Sequence, residues 1–248
     1  MPDFLKETSY QDPENPADCP FTKGHGVNEP VFSWLPKQDN LFQHFNRYMT
    51  IQRDGMPTWL TKYPYLEKAQ SLAPEQPLFV DVGGGVGHQS IALREALPEN
   101  IKAKIILQDQ PGVIEQAIKK DGVEHVAHDF FTPQPVKGAK MYYMRNIMHD
   151  WPDHKALEIL KHIKDAMQSD SVLLIDDMVL PDTGAHWQAT QLDMLMMVAL
   201  AARERTHAQW EELIKSAGFK INRIYQYTSS LGDSIIECVL PSTAAGPE

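Results

Sequence analysis

The stretch "PLFVDVGGGVGHQSIALREALP", Pro77 to Pro98, decides the fold. A short apolar run ends in Asp81 and then in glycines, the pattern of a buried strand that turns sharply at its end. "HQSIALREALP" follows as a helix. Glycines permit the turn and let the backbone approach a ligand closely, with the amides of the helix N-terminus directed at it.

Working outward, the same alternation repeats. "AKIILQD", "VEHVAHDFF", "AKMYYMRNIM" and "SVLLIDDMVL" read as strands. "GVIEQAIKK", "DHKALEILKHIKDAM", "WQATQLDMLMMVALAA" and "HAQWEELIKSAGF" read as helices, and "KINRIYQY" and "SIIECVLP" as a closing antiparallel pair. Strands alternating with helices predict an α/β fold, a doubly wound, Rossmann-like, mostly parallel sheet whose ligands bind outside the carboxyl ends of the strands. Ahead of it, Leu41, Phe42, Phe45, Tyr48, Met49 and Ile51 recur with helical spacing, and a second helix is expected over Met56–Tyr63. Residues 1–30, rich in Pro, Asp and Glu, read as an extended or partly disordered arm. The expected division is 1–70 for the arm and helical segment, 71–243 for the ligand-binding domain and 244–248 for a tail.

Asp81 to Gly87 fit D-x-G-x-G-x-G. A dinucleotide fingerprint needs G-x-G-x-x-G, and counting from Gly83 the third glycine position is His88. That weakens an NAD reading. S-adenosylmethionine has no pyrophosphate and suits the spacing, with Asp81, Gly83, Gly84 and Gly85 at the cofactor; a purely structural turn is the bland alternative. Asp109, with Gln110 beside it, ends the second strand, where a carboxylate can accept both ribose hydroxyls, or simply open the turn before Pro111. Asp129 and Phe130 end the third, placed to bracket an adenine. "RNIMHDWPDHKA" puts His149 beside a helix start, with Asp150 as N-cap, Pro152 in the first turn and Asp153 completing a capping-box-like arrangement.

The set "FVDVGGGVGHQSIAL", "ILQDQPGVIEQA", "HDFFTPQP", "RNIMHDWPDHKALEIL", "LLIDDMVLPDTG" and "RERTHAQWEELIKSAGF" resembles the catalytic domain of the plant-caffeate-type small-molecule O-methyltransferases, in the form common in fungal secondary metabolism. The resemblance covers about Leu78 to Cys238. It implies S-adenosylmethionine as cofactor, His149 as catalytic base, and Asp177 and Glu204 as the two acids that flank and orient it. Asp177 replaces the glutamate usual in plant members, one methylene longer. Arg145 stands where those members have a lysine near the cofactor, and its fork has a different donor geometry. Phe45, Met49, Met194 and Leu195 would line the acceptor pocket, although "DMLMMVAL" is also what a buried helix looks like; Ala199, at an often polar position, points to an apolar acceptor. Full-length relatives carry a winged-helix-like dimerisation domain ahead of this region. Most of it is missing from the residues before the glycine loop, so a homodimer or partner chain is expected to meet the apolar face of the Leu41–Met49 helix.

The chemistry is consistent with those roles. A phenol, with a pKa near ~10, is a poor nucleophile until a base takes its proton, and a histidine with an ordinary pKa of about 6.5 can do so. A carboxylate on the other ring nitrogen fixes the tautomer. No metal is required and no metal-ligand spacing is visible. Two other readings stay open: a relative using the cofactor pocket for a pericyclic, decarboxylation or hydroxylation step, and a non-catalytic partner subunit.

The totals exclude other classes. A net charge of -10 with no basic stripe argues against nucleic acid. Cys19 and Cys238, the two cysteines, fit neither a disulfide framework nor a metal motif. No apolar run reaches the ~18 residues of a membrane span, and the acidic, Pro-rich N-terminus is unlike a targeting peptide. A cytoplasmic location is the expectation.

Overall fold

A computed structural model describes residues 1–38, 40–51 and 55–241; the expected tail, 244–248, lies outside them. Among the described residues, seven strands form one sheet in the order β3-β2-β1-β4-β5-β7-β6. They are β1 (Phe79–Val82), β2 (Ile105–Asp109), β3 (Val123–Ala127), β4 (Met141–Arg145), β5 (Val172–Met178), β6 (Lys220–Gln226) and β7 (Asp233–Val239). Strands β1 to β5 pair in parallel, and β7 pairs antiparallel with both β5 and β6. Among the described residues, ten α-helices surround or precede the sheet: α1 (Pro2–Glu7), α2 (Pro20–His25), α3 (Val31–Trp34), α4 (Leu41–Ile51), α5 (Tyr65–Gln70), α6 (His88–Ala96), α7 (Pro111–Ile114), α8 (Asp153–Lys164), α9 (Trp187–Leu200) and α10 (His207–Ser216).

Strand periodicity explains the two apolar layers. In β4, Tyr142 and Met144 face one side, where Ile159, Leu160 and Ile163 of α8 and Trp210 and Leu213 of α10 cover them. Met141 and Tyr143 face the other, packed with Trp59, Phe79 and Leu93 of α6. Trp59 stacks on Phe79, ring centroids 5.8 Å apart, and its indole N–H donates to Gln89 at 3.0 Å. With both faces covered, the polar residues that end the strands gather at the carboxyl edge.

Four local expectations need correction. Residues 1–30 are not extended: Phe4 of α1 is buried, and α2 opens with Pro20 at its first position and a capping box between Cys19 and Thr22. Cys19 is buried with its Sγ 3.7 Å from the Ala199 carbonyl of α9. The helix expected over Met56–Tyr63 is a single 3-10 turn, Trp59–Thr61, and the helix proper is α5, after Pro64. "GVIEQAIKK" yields only α7, which ends at Ile114. Asp150 does not cap α8: the N-cap is Pro152, with no side-chain cap bond, and Asp150 closes a 3-10 turn, Met148–Asp150. Asp153 completes no capping box and instead holds Arg205.

Candidate active site

At the carboxyl edge a cleft of about 370 Å³ is lined by Asp81, Gly83, Gly84, Gly85, Arg145 and Met49, among others. The loop after β1 is built by its glycines. Gly83 and Gly85 have φ of +71° and +61°, and the Gly83 and Gly84 amides both donate to the Gln108 carbonyl, at 2.8 and 3.0 Å. A Cβ on Gly84 would lie 2.5 Å from both Asp81 Cγ and Leu107 Cδ1, so only glycine fits. Asp81 is buried and accepts from Ser90 Oγ at 2.8 Å; burial pushes its carboxyl up to about 7, with the Ser90 bond opposing.

Asp109 holds this loop. Its Oδ2 accepts from the Gly85 amide at 2.8 Å and its Oδ1 from the Gln110 amide at 2.7 Å. Burial raises its pKa while the two amides pull it back. Each oxygen keeps a second lone pair, which leaves capacity for ribose hydroxyls. Gln110 itself is exposed. Phe130 borders the loop, its Cε1 3.5 Å from the place a Cβ on Gly83 would take, whereas Asp129 is exposed and accepts from the Phe131 amide at 3.0 Å. On the other wall, the Arg145 Nε lies 3.7 Å from Asp176 Oδ2. Asp176, buried, also accepts from the hydroxyls of Tyr143 and Tyr227, the latter at 2.6 Å. The open glycine cradle, the acid at the end of β2 and the cation opposite them fit S-adenosylmethionine.

The chain leaves β4 through Asn146, whose φ is +51°, and Ile147 closes on Gly83 before the turn that carries His149. His149 Nδ1 lies 2.8 Å from Glu204 Oε1, and its Nε2 lies 3.3 Å from Asp150 Oδ1. Burial works against a charged ring here, but Asp150 and Glu204 outweigh it and raise the pKa to about 10. Asp177 is buried, and both its carboxylate oxygens lack a hydrogen-bond partner among the described residues. Burial first, then the neighbouring acids, drive its pKa well above the usual carboxylate range. The two flanking acids therefore differ: Glu204 contacts the ring directly, and Asp177 acts on it only through its field.

The four residues expected to line the acceptor pocket lie on two helices, Phe45 and Met49 on α4 and Met194 and Leu195 on α9. Met49 lines the cleft already described. Phe45 packs edge-on to Phe32, which lies against Trp151. Met194 and Leu195 are 48% and 51% exposed on α9, the helix beside the His149 turn. Ala199 packs with Met196, Leu200 and Phe32. Sequence reasoning missed Asp150, Asp176 and Arg205 as parts of the site. For Arg205 the available signal was a charge inside "RERTHAQW", directly after Glu204. Among the described residues no group of three or more His, Cys, Asp or Glu side chains is arranged to hold a metal ion, and no helix is long and apolar enough to cross a membrane.

Comparison with known proteins gives a consistent picture. A family model described as the O-methyltransferase domain matches residues 5–220. The demethylsterigmatocystin 6-O-methyltransferase of Aspergillus flavus is 41% identical over 230 residues, which is 92% of this chain and 59% of that protein. The solved structure of LepI in complex with SAM matches with a TM-score of 0.91 at 40% identity, covering 97% of this chain and 62% of that one. A structure described as a pericyclic reaction enzyme matches with a TM-score of 0.89, also at 40% identity, covering 97% of this chain and 63% of that one. The chain thus spans about three fifths of the length of these relatives.

Proposed function

The chain belongs to the O-methyltransferase domain family, and from that premise we propose that it transfers the methyl group of S-adenosylmethionine to a phenolic hydroxyl of a small aromatic, polyketide-like molecule, with His149 as general base. The observation that carries this reading is the 2.8 Å contact of His149 Nδ1 with Glu204, one turn beyond the glycine-lined cleft. Bound S-adenosylmethionine supplies an electrophilic methyl group. The chain's own residues do the rest. Asp81 and the Gly83–Gly85 loop hold the methionine part, Asp109 and Gln110 the ribose, Asp129 and Phe130 the adenine side. Arg145 adds a cation to the opposite wall. Glu204 keeps a proton on Nδ1, which directs the lone pair of Nε2 toward the acceptor. Asp177 lends negative potential to the imidazolium that results. Phe45, Met49, Met194 and Leu195 offer apolar surface to the acceptor ring, with sulfur–aromatic contact from the methionines.

The exposed Leu41, Tyr48 and Ile51 of α4 favour burial against a second copy of the chain, which light scattering at increasing concentration tests. Nothing in the acidic surface favours nucleic acid, and the cytoplasm is the proposed location.

The test is methyl transfer from labelled S-adenosylmethionine to a panel of hydroxyxanthones, hydroxyanthraquinones and simple phenols. Activity is expected to vanish in His149→Ala while cofactor affinity by calorimetry persists. Full activity in that variant would remove the base assignment. A second reading is motivated by the relative described as a pericyclic reaction enzyme: conversion of an acceptor without release of S-adenosylhomocysteine would favour it. Calorimetry with no cofactor binding would instead favour a non-catalytic subunit.

A further inference from the structure

His149 is engaged at both ring nitrogens, by Glu204 on Nδ1 and Asp150 on Nε2. The two carboxylates differ in access to water. The Glu204 side chain is 1% exposed, against 16% for Asp150 and 15% for His149. The other acids around the ring are closed off or occupied. Asp177 is buried at the end of β5, Asp176 is taken up by Tyr143, Tyr227 and Arg145, and Asp193 of α9 accepts from the Glu204 amide at 3.0 Å. Asp150 is the carboxylate that both touches the ring and reaches solvent.

Proton balance gives that position a consequence. When a hydroxyl is methylated, its O–H bond breaks and the proton goes to Nε2, while the O–C bond forms as the methyl leaves sulfur. The ether product has no proton at that oxygen, so every turnover leaves one on the ring. The Nδ1 side offers no exit, because Glu204 is sealed from water. We propose that Asp150 is the proton outlet of this site: the Nε2 proton passes to Asp150 Oδ1 and then to solvent, which resets His149 for the next turnover. The inference rests on the methyl-transfer reading. Asp150 acts through His149, as a positioning and relay residue, and need not touch the acceptor. Burial pushes its carboxyl up to about 6, with the imidazolium opposing, which brings it nearer in acidity to the ring it relieves than an ordinary carboxylate is.

The test compares steady-state methylation of 1,3-dihydroxyxanthone with a single turnover started from enzyme held above about pH 10, where the ring is neutral, and jumped to neutral pH, for the wild type, Asp150→Asn and Asp150→Glu. In Asp150→Asn the ratio of first-turnover to steady rate should rise about tenfold, with added imidazole restoring part of the steady rate; Asp150→Glu should keep the wild-type ratio. Equal loss in both phases, as a purely structural role would give, overturns the outlet. Asp150→Ser carries the same comparison if the Asn variant does not fold. A second readout needs no turnover: the nitrogen-15 NMR titration of His149 should move to lower pH in Asp150→Asn, and an unmoved midpoint overturns the contact on which the relay depends. A wild-type protein that methylates no phenol fails the methyl-transfer reading, whereas normal turnover with an unchanged ratio fails only the outlet.

Discussion

Arg205 reaches Asp153 Oδ1 with two nitrogens, Nε at 3.0 Å and Nη2 at 2.7 Å, and so ties the residue after Glu204 to the first residue of α8. The same guanidinium donates from Nη1 to the Met148 carbonyl at 2.7 Å and from Nη2 to the Trp151 carbonyl at 2.9 Å. One buried side chain thus spans the turn that carries His149 and fixes its separation from Glu204. Lysine has no such fork. Arg205→Lys is expected to cost about 2–3 kcal/mol, the loss of hydrogen bonds from a charged donor, and to lower methyl transfer alongside. Denaturant unfolding checks the first, and the rate at a temperature where the variant is still folded checks the second. Wild-type stability in the variant would mean that the turn holds itself.

Glu204 and Asp177 should respond differently to neutral isosteres. Glu204 contacts the base, so Glu204→Gln removes the partner that sets the tautomer and stabilises the imidazolium; kcat should fall by about 10²–10⁴ with cofactor affinity intact. Asp177 is buried with no hydrogen-bond partner for either oxygen among the described residues, and burial drives its pKa up. Asp177→Asn replaces a buried acid that does not touch the ring, so kcat should fall less than about tenfold and thermal stability should hold or rise. Equal losses in the two variants would contradict this division of roles.

Much of this arrangement was readable from the chain because its signals are local. A run of apolar residues ending in Asp81 and glycines announces its strand and turn within ten positions, and the parallel sheet follows by repetition. The resemblance pointed to His149 and Glu204 as partners, although they lie 55 residues apart. Asp150 was misread because a local rule, acid before a Pro-opened helix, competed with a contact that only the folded turn creates. The N-terminal arm departs from its expectation for a related reason: a composition rich in Pro, Asp and Glu points to extended chain, yet Pro2 and Pro20 each stand in the first turn of a helix, where a missing N–H costs nothing. What local patterns could not supply were the long-range grips, Arg205 on Asp153 and the Tyr143–Asp176–Tyr227 set behind Arg145.

The glycine loop offers a test that is independent of the base. A methyl group at position 84 would meet the Asp81 carboxyl and Leu107 at 2.5 Å, and neither is a flexible tip. Gly84→Ala should destabilise the fold by about 1–3 kcal/mol, the usual range for overpacking, and weaken cofactor binding by displacing the Gly85 amide from Asp109. Calorimetry with S-adenosylhomocysteine measures the second effect. Unchanged affinity would remove this loop from the proposed cofactor site.

The raised pKa of His149 makes a signed prediction for pH. Its carboxylate partners hold it cationic, at about 10 in the ligand-free protein, against an ordinary value of about 6.5. The group's folded value lies above its unfolded one, so its contribution to stability is fully present below about pH 6.5 and is lost as pH rises through about 10. Catalysis runs the other way, because a base must first be neutral. In the free enzyme kcat/KM should therefore climb through neutral pH and level off only near about 10. With the cationic cofactor in the cleft, like charge disfavours the imidazolium, so the kcat profile should level off at lower pH. Paired pH profiles of kcat and kcat/KM measure the displacement. A kcat/KM that stays flat from about pH 6 to 9 would mean that His149 takes no proton from the acceptor.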